Sequence, residues 1–144
     1  MKAAFNFKDV IINYSSRSNV WATYWQKVYT EAERATRKAL SKAAYRVFRD
    51  AQSTIHKSPD PSQPGTPPHT RRGMLRKGIR YQVDYTVPDA VIGPVGSVLA
   101  DIGELHEFGG ERYGSQYPAR PYMRPALERE LDNFAGGFEG TFAA

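Results

Sequence analysis

The first 58 residues of this chain contain neither glycine nor proline, and all twelve glycines and ten prolines lie at or beyond Pro59. Nothing in the front segment interrupts a helix, whereas the back segment is cut into short elements by turn residues. Val28, Ala32, Ala35, Ala39, Ala43, Val47, Ala51 and Ile55 recur every three or four residues, with Leu40 and Phe48 widening the stripe. That spacing predicts one amphipathic helix from about residue 20 to Ile55, capped by Ser18 or Asn19. Lys27, Arg34, Lys38, Lys42 and Arg49 gather on its far side. About 36 residues give a rod of roughly 54 Å, longer than the roughly 38 Å diameter of a compact domain of this size. A straight helix of that length overhangs its own domain, so its early turns, with Trp21 and Trp25, are expected to pack on a partner.

The remaining segments fit around this helix. Residues 1–19 read as an N-terminal arm, with Phe, Val and Ile over 4–14 suiting a strand. Five prolines between Ser58 and Pro68 exclude helix and central strand, so 58–73 is an exposed loop that offers Pro67 and Pro68 to neighbours. Ile79, Tyr81, Val83, Tyr85 and Val87 alternate with polar residues, a half-buried strand that turns at Pro88-Asp89 and returns over Ala90–Val95. Ser97 is placed to cap a short helix with Val98, Ile102 and Leu105 on one side, stopped by Gly109-Gly110. Residues 111–117 read as a polar loop, and Pro125 suits the first turn of a last helix with Leu127, Leu131 and Phe134 as its apolar side. Residues 137–144 are a tail. The order of elements predicts one α+β domain over 20–136, in which the long N-terminal helix and shorter helices pack on a small antiparallel sheet.

Composition removes several chemistries. With 144 residues there is room for one packed core. The absence of cysteine excludes disulfides, thiolate metal sites and cysteine nucleophiles. Neither phosphate-cradle glycine motif occurs, and His106-Glu107 begins a zinc-protease motif whose second histidine is replaced by Gly110. His106 and Glu107 remain the one pair an enzyme could use; the expectation is no enzyme and no cofactor or metal. Charged residues interrupt every apolar run before it reaches membrane-spanning length, which suits an unexported protein with no membrane contact.

The net charge of +5 is unevenly spread. Through Lys57 there are 11 basic and 4 acidic residues; beyond Arg80 there are 4 basic and 10 acidic. Such polarity draws nucleic acid to one end, or lets one subunit's basic end meet the next subunit's acidic end. Arg71, Arg72, Arg76 and Lys77 join Arg34, Lys38, Lys42 and Arg49 as candidates to face DNA, and a basic nucleic-acid-binding protein is the alternative reading.

Three stretches, taken in order, carry a family resemblance. PGTPPHTRRGMLRKGIRY (64–81), ADIGELHEFGG (100–110) and YPARPYMRPALE (117–128) resemble the proline-loop strand entry, the A-x-x-x-E-F-G helix stop and the PARPF-[LM]-RPA segment of small tailed-phage morphogenesis proteins. These are the tail-completion or head–tail joining (neck, minor tail) proteins. The usual Thr-Gly before the strand appears here as Thr70-Arg71-Arg72-Gly73, two residues longer. The resemblance implies a homo-oligomeric, hexameric ring in the virion neck or tail, assembled in the host cytoplasm. It implies as partners the phage connector or adaptor and tail-tube or terminator proteins, with non-specific contact to genomic DNA. Candidate interface residues are then Trp21, Trp25, Pro67, Pro68, Glu104, Glu107, Phe108, Arg120, Tyr122 and Arg124. Arg120 and Arg124 offer planar forks for Glu104 or Glu107, within one subunit or across to the next.

Overall fold

A computed structural model describes the backbone of residues 19–136 and the side chains of 26–134. The N-terminal arm, the capping role of Ser18, the side chains of Trp21 and Trp25, and the C-terminal tail lie outside the described residues. The fold is α+β. Helix α1 (Asn19–Thr54) is one uninterrupted rod of 36 residues, as the run without breakers predicts. It is followed by β1 (His56–Lys57), β2 (His69–Thr70), a single-turn α2 (Met74–Gly78), β3 (Ile79–Asp84), β4 (Asp89–Pro94), α3 (Ser97–Phe108), β5 (Gly110–Arg112), β6 (Ser115–Tyr117) and α4 (Met123–Gly136).

Sheet structure comes as three separate pairs. β3 and β4 form the expected antiparallel hairpin, with Ile79 opposite Pro94, Tyr81 opposite Ile92 and Val83 opposite Ala90 on the face turned to α1. Across that face Tyr81 meets Phe48 at 5.1 Å and Tyr45 at 6.1 Å between ring centroids. β5 and β6 pair antiparallel, so the segment expected to be an irregular loop is a tight hairpin turned by Tyr113 and Gly114, both at positive φ. β1 and β2 pair in parallel, His56 with His69 and Lys57 with Thr70, and close the proline-rich loop at its base.

The core is small and sits at the C-terminal end of α1. Val47, Ala51 and Ile55 pack with Leu75, Ile79, Tyr122 and Ala126. α4 runs antiparallel to α1 and is tied to it by Arg129 with Asp50 at 2.7 Å and Arg46 with Glu130 at 3.1 Å. Its orientation corrects the expected apolar side. Leu127 and Leu131 face outward at 49% and 57% exposure, while Ala126 and the carboxylate-bearing Glu130 face α1. The physical reason is closeness: Ala126 beside the Ala51 turn lets the two backbones approach, and Glu130 is admitted because Arg46 neutralises it. Among the described residues, none from 26 to 38 of α1 is buried, and Ala39 is the first that is. The side-chain hydrogen bonds and ion pairs of that stretch stay within the helix, as in Tyr29 with Glu33, Arg34 with Glu31 and Arg37 with Glu33. The first twenty residues of α1, roughly 30 Å, project beyond the core.

Candidate subunit interface and basic face

Residues 118–122 lie extended across the end of α3 and form a strap that joins three distant parts of the chain. The Arg120 backbone N–H donates to the His106 carbonyl at 2.6 Å, which satisfies a carbonyl left open in the last turn of α3. In return, the Glu107 carboxylate accepts from the backbone N–H groups of Tyr122 and Met123, each at 2.9 Å, and of Arg124 at 2.8 Å. These are open donors at the start of α4, and the next residue, Pro125, has no N–H to satisfy. A negative charge at that end also complements the helix dipole.

The same strap holds the proline-rich loop. Gly65 N–H donates to the Ala119 carbonyl at 2.8 Å, and Arg120 Nε donates to the Ser62 carbonyl at 2.9 Å. Ser58 N–H donates to the Thr70 carbonyl at 3.3 Å, and Arg71 Nε to the Pro59 carbonyl at 3.2 Å. The loop is therefore exposed along its outer edge but anchored beneath: Ser62 and Pro68 are buried, and His69–Thr70 is strand.

The structure sorts the interface candidates. Pro68 and Tyr122 are interior residues of a single chain, less than 2% exposed, and neither is available to a neighbour; the strap closes over Tyr122 and the loop folds Pro68 inward. Pro67 is half-buried. Glu107 is committed to the start of α4, and Arg120 Nε to the Ser62 carbonyl, so neither arginine forks with Glu104 or Glu107 within the chain; backbone N–H groups are the donors to Glu107. Glu104, Phe108 and Arg124 remain outward, with the Arg124 guanidinium 5.9 Å from the centre of the Phe108 ring. The residues missed by sequence reasoning are Leu127 and Leu131, which continue this outward surface.

The pair an enzyme could use is likewise engaged. His106 is half-buried, and burial, with the positive charge of Arg120 as a lesser cause, pushes its imidazole pKa below the usual value. A histidine held neutral in the fold adds stability above its unfolded pKa and loses it as pH falls through that range. Acidification below about 6.5 is therefore expected to weaken the strap, and His106→Gln to flatten that part of the stability profile in urea titrations from pH 7.5 to 5. An unchanged slope would show that His106 does not carry it. Burial pushes the Tyr122 hydroxyl up to about 12, with Glu107 adding to the effect. Among the described residues no group of three or more His, Asp or Glu is placed to hold a metal, and no helix is long and apolar enough to cross a membrane.

The DNA-facing candidates are all exposed. Arg34, Lys38, Lys42 and Arg49 are exposed on α1, and Arg71, Arg72, Arg76 and Lys77 are exposed around α2. Gln52, one turn beyond Arg49, donates to the Arg76 carbonyl at 3.0 Å, which sets α2 at the end of the α1 basic stripe. Half-exposed Tyr45 lies within the stripe. The concavity between α1 and α4, about 310 Å³, is lined by Arg46, Asp50, Arg129 and Glu130, whose charges already pair across it.

Comparison with protein-family models, curated proteins and solved structures finds no match to this chain.

Proposed function

We propose that this chain is a structural subunit of a tailed-phage virion, a ring-forming tail-completion or neck component between head connector and tail, whose work is assembly rather than catalysis. One observation carries the reading. The three stretches that bear the resemblance, separated by up to 60 residues of chain, fold into a single joint: the 64–81 stretch through Gly65, the 100–110 stretch through His106 and Glu107, and the 117–128 stretch through Ala119, Arg120 and the start of α4. A set of motifs whose members hold one another in place supports their being one inherited device. The projecting half of α1 and a chain basic at one end and acidic at the other suit head-to-tail contact, which closes into a ring when the rotation permits. Electron microscopy of the purified protein, with mass measurement in solution and in particles, tests this. Closed rings, sixfold on the family resemblance, and presence in virions are expected; a strict monomer absent from particles ends the reading.

The second reading, a basic nucleic-acid-binding protein, rests on the exposed basic residues of α1 and of the segment around α2, which Gln52 joins. It requires duplex affinity that falls steeply with salt and drops further when Arg71, Arg72, Arg76 and Lys77 are neutralised. Binding indifferent to those four changes removes it.

A further inference from the structure

The outward face of α4 is used by neither the core nor the strap. Leu127 and Leu131, one turn apart, are 49% and 57% exposed, and Phe108 at the end of α3 is 64% exposed. Arg124 links the two groups, since it stands one turn before Leu127 and covers the Phe108 ring. Acids surround this surface: Glu104 on α3, and Glu128 and Asp132 beside the leucines, all exposed. Among the described residues Glu128 and Asp132 make no ion pair.

Elsewhere in the same chain lies a surface of opposite character. On the projecting half of α1, Val28, Ala32 and Ala35 form one side at helical spacing. Residues 26–42 carry five cations against two carboxylates. Arg34 and Arg37 are already paired with Glu31 and Glu33, whereas Lys38 and Lys42 make no ion pair among the described residues. Lys38, three residues after Ala35, and Lys42, at the base of the projection, stand on the border between the small-residue side and the basic side of α1, and Glu128 and Asp132 likewise stand four apart, each next to a leucine. The projection of roughly 30 Å exceeds the roughly 21 Å length of α4, and its small side chains allow a second helix to approach closely.

We propose that the Phe108–Leu127–Leu131 face docks the projecting half of α1 from a second copy of this chain. The leucines pack on Ala32 and Ala35, and Lys38 and Lys42 reach toward Glu128 and Asp132 from the edge of that side. The contact joins two different surfaces, so it repeats from copy to copy, and of the basic stripe it engages Lys38 and Lys42. This inference rests on the reading of the chain as a self-assembling subunit and names the surfaces through which it assembles.

Full-length protein is measured by sedimentation over a range of concentrations, with far-ultraviolet circular dichroism to check the fold. The altered side chains are exposed, so the helical signal is expected to persist. Lys38→Glu/Lys42→Glu and Glu128→Lys/Asp132→Lys are each expected to lose the oligomer, and an equimolar mixture of the two is expected to recover it, because each then meets an opposite charge. Leu127→Gln/Leu131→Gln is expected to be monomeric alone, because its α4 face no longer docks a neighbour's α1. An oligomer that survives Leu127→Gln/Leu131→Gln overturns this contact and leaves the ring reading standing. Loss with the α4 reversal but not with the α1 reversal points to α4 meeting α4, and overturns it too. So does an α4 face that gains self-association only when residues 137–144 are deleted, which would assign the face to the chain's own tail. Wild-type protein monomeric at every concentration overturns both the contact and the ring.

Discussion

Replacing Glu107 by Ala lowers the unfolding free energy by about 2–4 kcal/mol, the expected cost of leaving three backbone donors without a charged acceptor at a helix start. The side chain comes from α3 but serves α4, so the loss is not confined to one helix. Tyr122, whose N–H is one of the three donors, is also a core residue at 1% exposure; loosening it reaches Ile55 and Ile79 in the same cluster. In a domain of this size the change corresponds to a fall in melting temperature on the order of 10 °C. Glu107→Gln retains the shape and one acceptor oxygen and is expected to cost about half as much. Urea unfolding of the three proteins decides the matter. A difference below about 0.5 kcal/mol, the range of an ordinary surface substitution, would mean that solvent satisfies those donors equally well.

Gly109→Ala is expected to be as damaging, by about 3 kcal/mol or more, for two independent reasons. Gly109 has φ 71° and ψ −171°, a region that is open to glycine and strained for any other residue. A Cβ placed there would stand 2.9 Å from the Ala119 nitrogen and 2.9 Å from the Tyr117 carbonyl oxygen. Both are backbone atoms, one in the strap and one at the end of β6 just before it, and cannot swing aside as a side-chain end could. Gly114→Ala is the control: its φ of 72° carries the same left-handed penalty, but nothing lies within 4 Å of an added Cβ, so about 1 kcal/mol is expected. Equal losses at the two positions, measured by thermal unfolding, would show that backbone strain alone matters and that the close approach of the strap does not.

These two positions also show what could and could not be read from sequence. Regular elements were legible wherever the information is local. The uninterrupted run to Thr54, the alternation from Ile79, and Gly109-Gly110 after Phe108 each give one element by periodicity and punctuation. Gly109 was legible as a helix stop, but not as the point where another segment passes within contact distance. Glu107 was legible as a candidate carboxylate, and its partners were not, because backbone N–H groups carry no residue signature. The inward face of α4 was misread because Leu127, Leu131 and Phe134 outweigh Ala126 in any apolar stripe. Helix proximity instead favoured the small residue, and Arg46, 84 positions away, made Glu130 acceptable. Ser97 lies inside α3 rather than capping it, and Gly96 occupies the cap position without a side-chain bond.

The anchoring of the proline-rich loop sets an order of events during synthesis. Its base can close as soon as His69 and Thr70 have left the ribosome, since both strands of that bridge are then present. Its outer half waits for Ala119 and Arg120, which follow Thr70 only after most of the remaining chain has been made. At the ribosome's pace of about 5–20 residues per second that interval lasts seconds, during which the loop is tethered at one end and α1 is already complete. A nascent chain in this condition displays its long helix before it possesses the outward face of α4. Self-association through those two surfaces is then a property acquired only with the final quarter of the chain, after the joint that orients α4 has set.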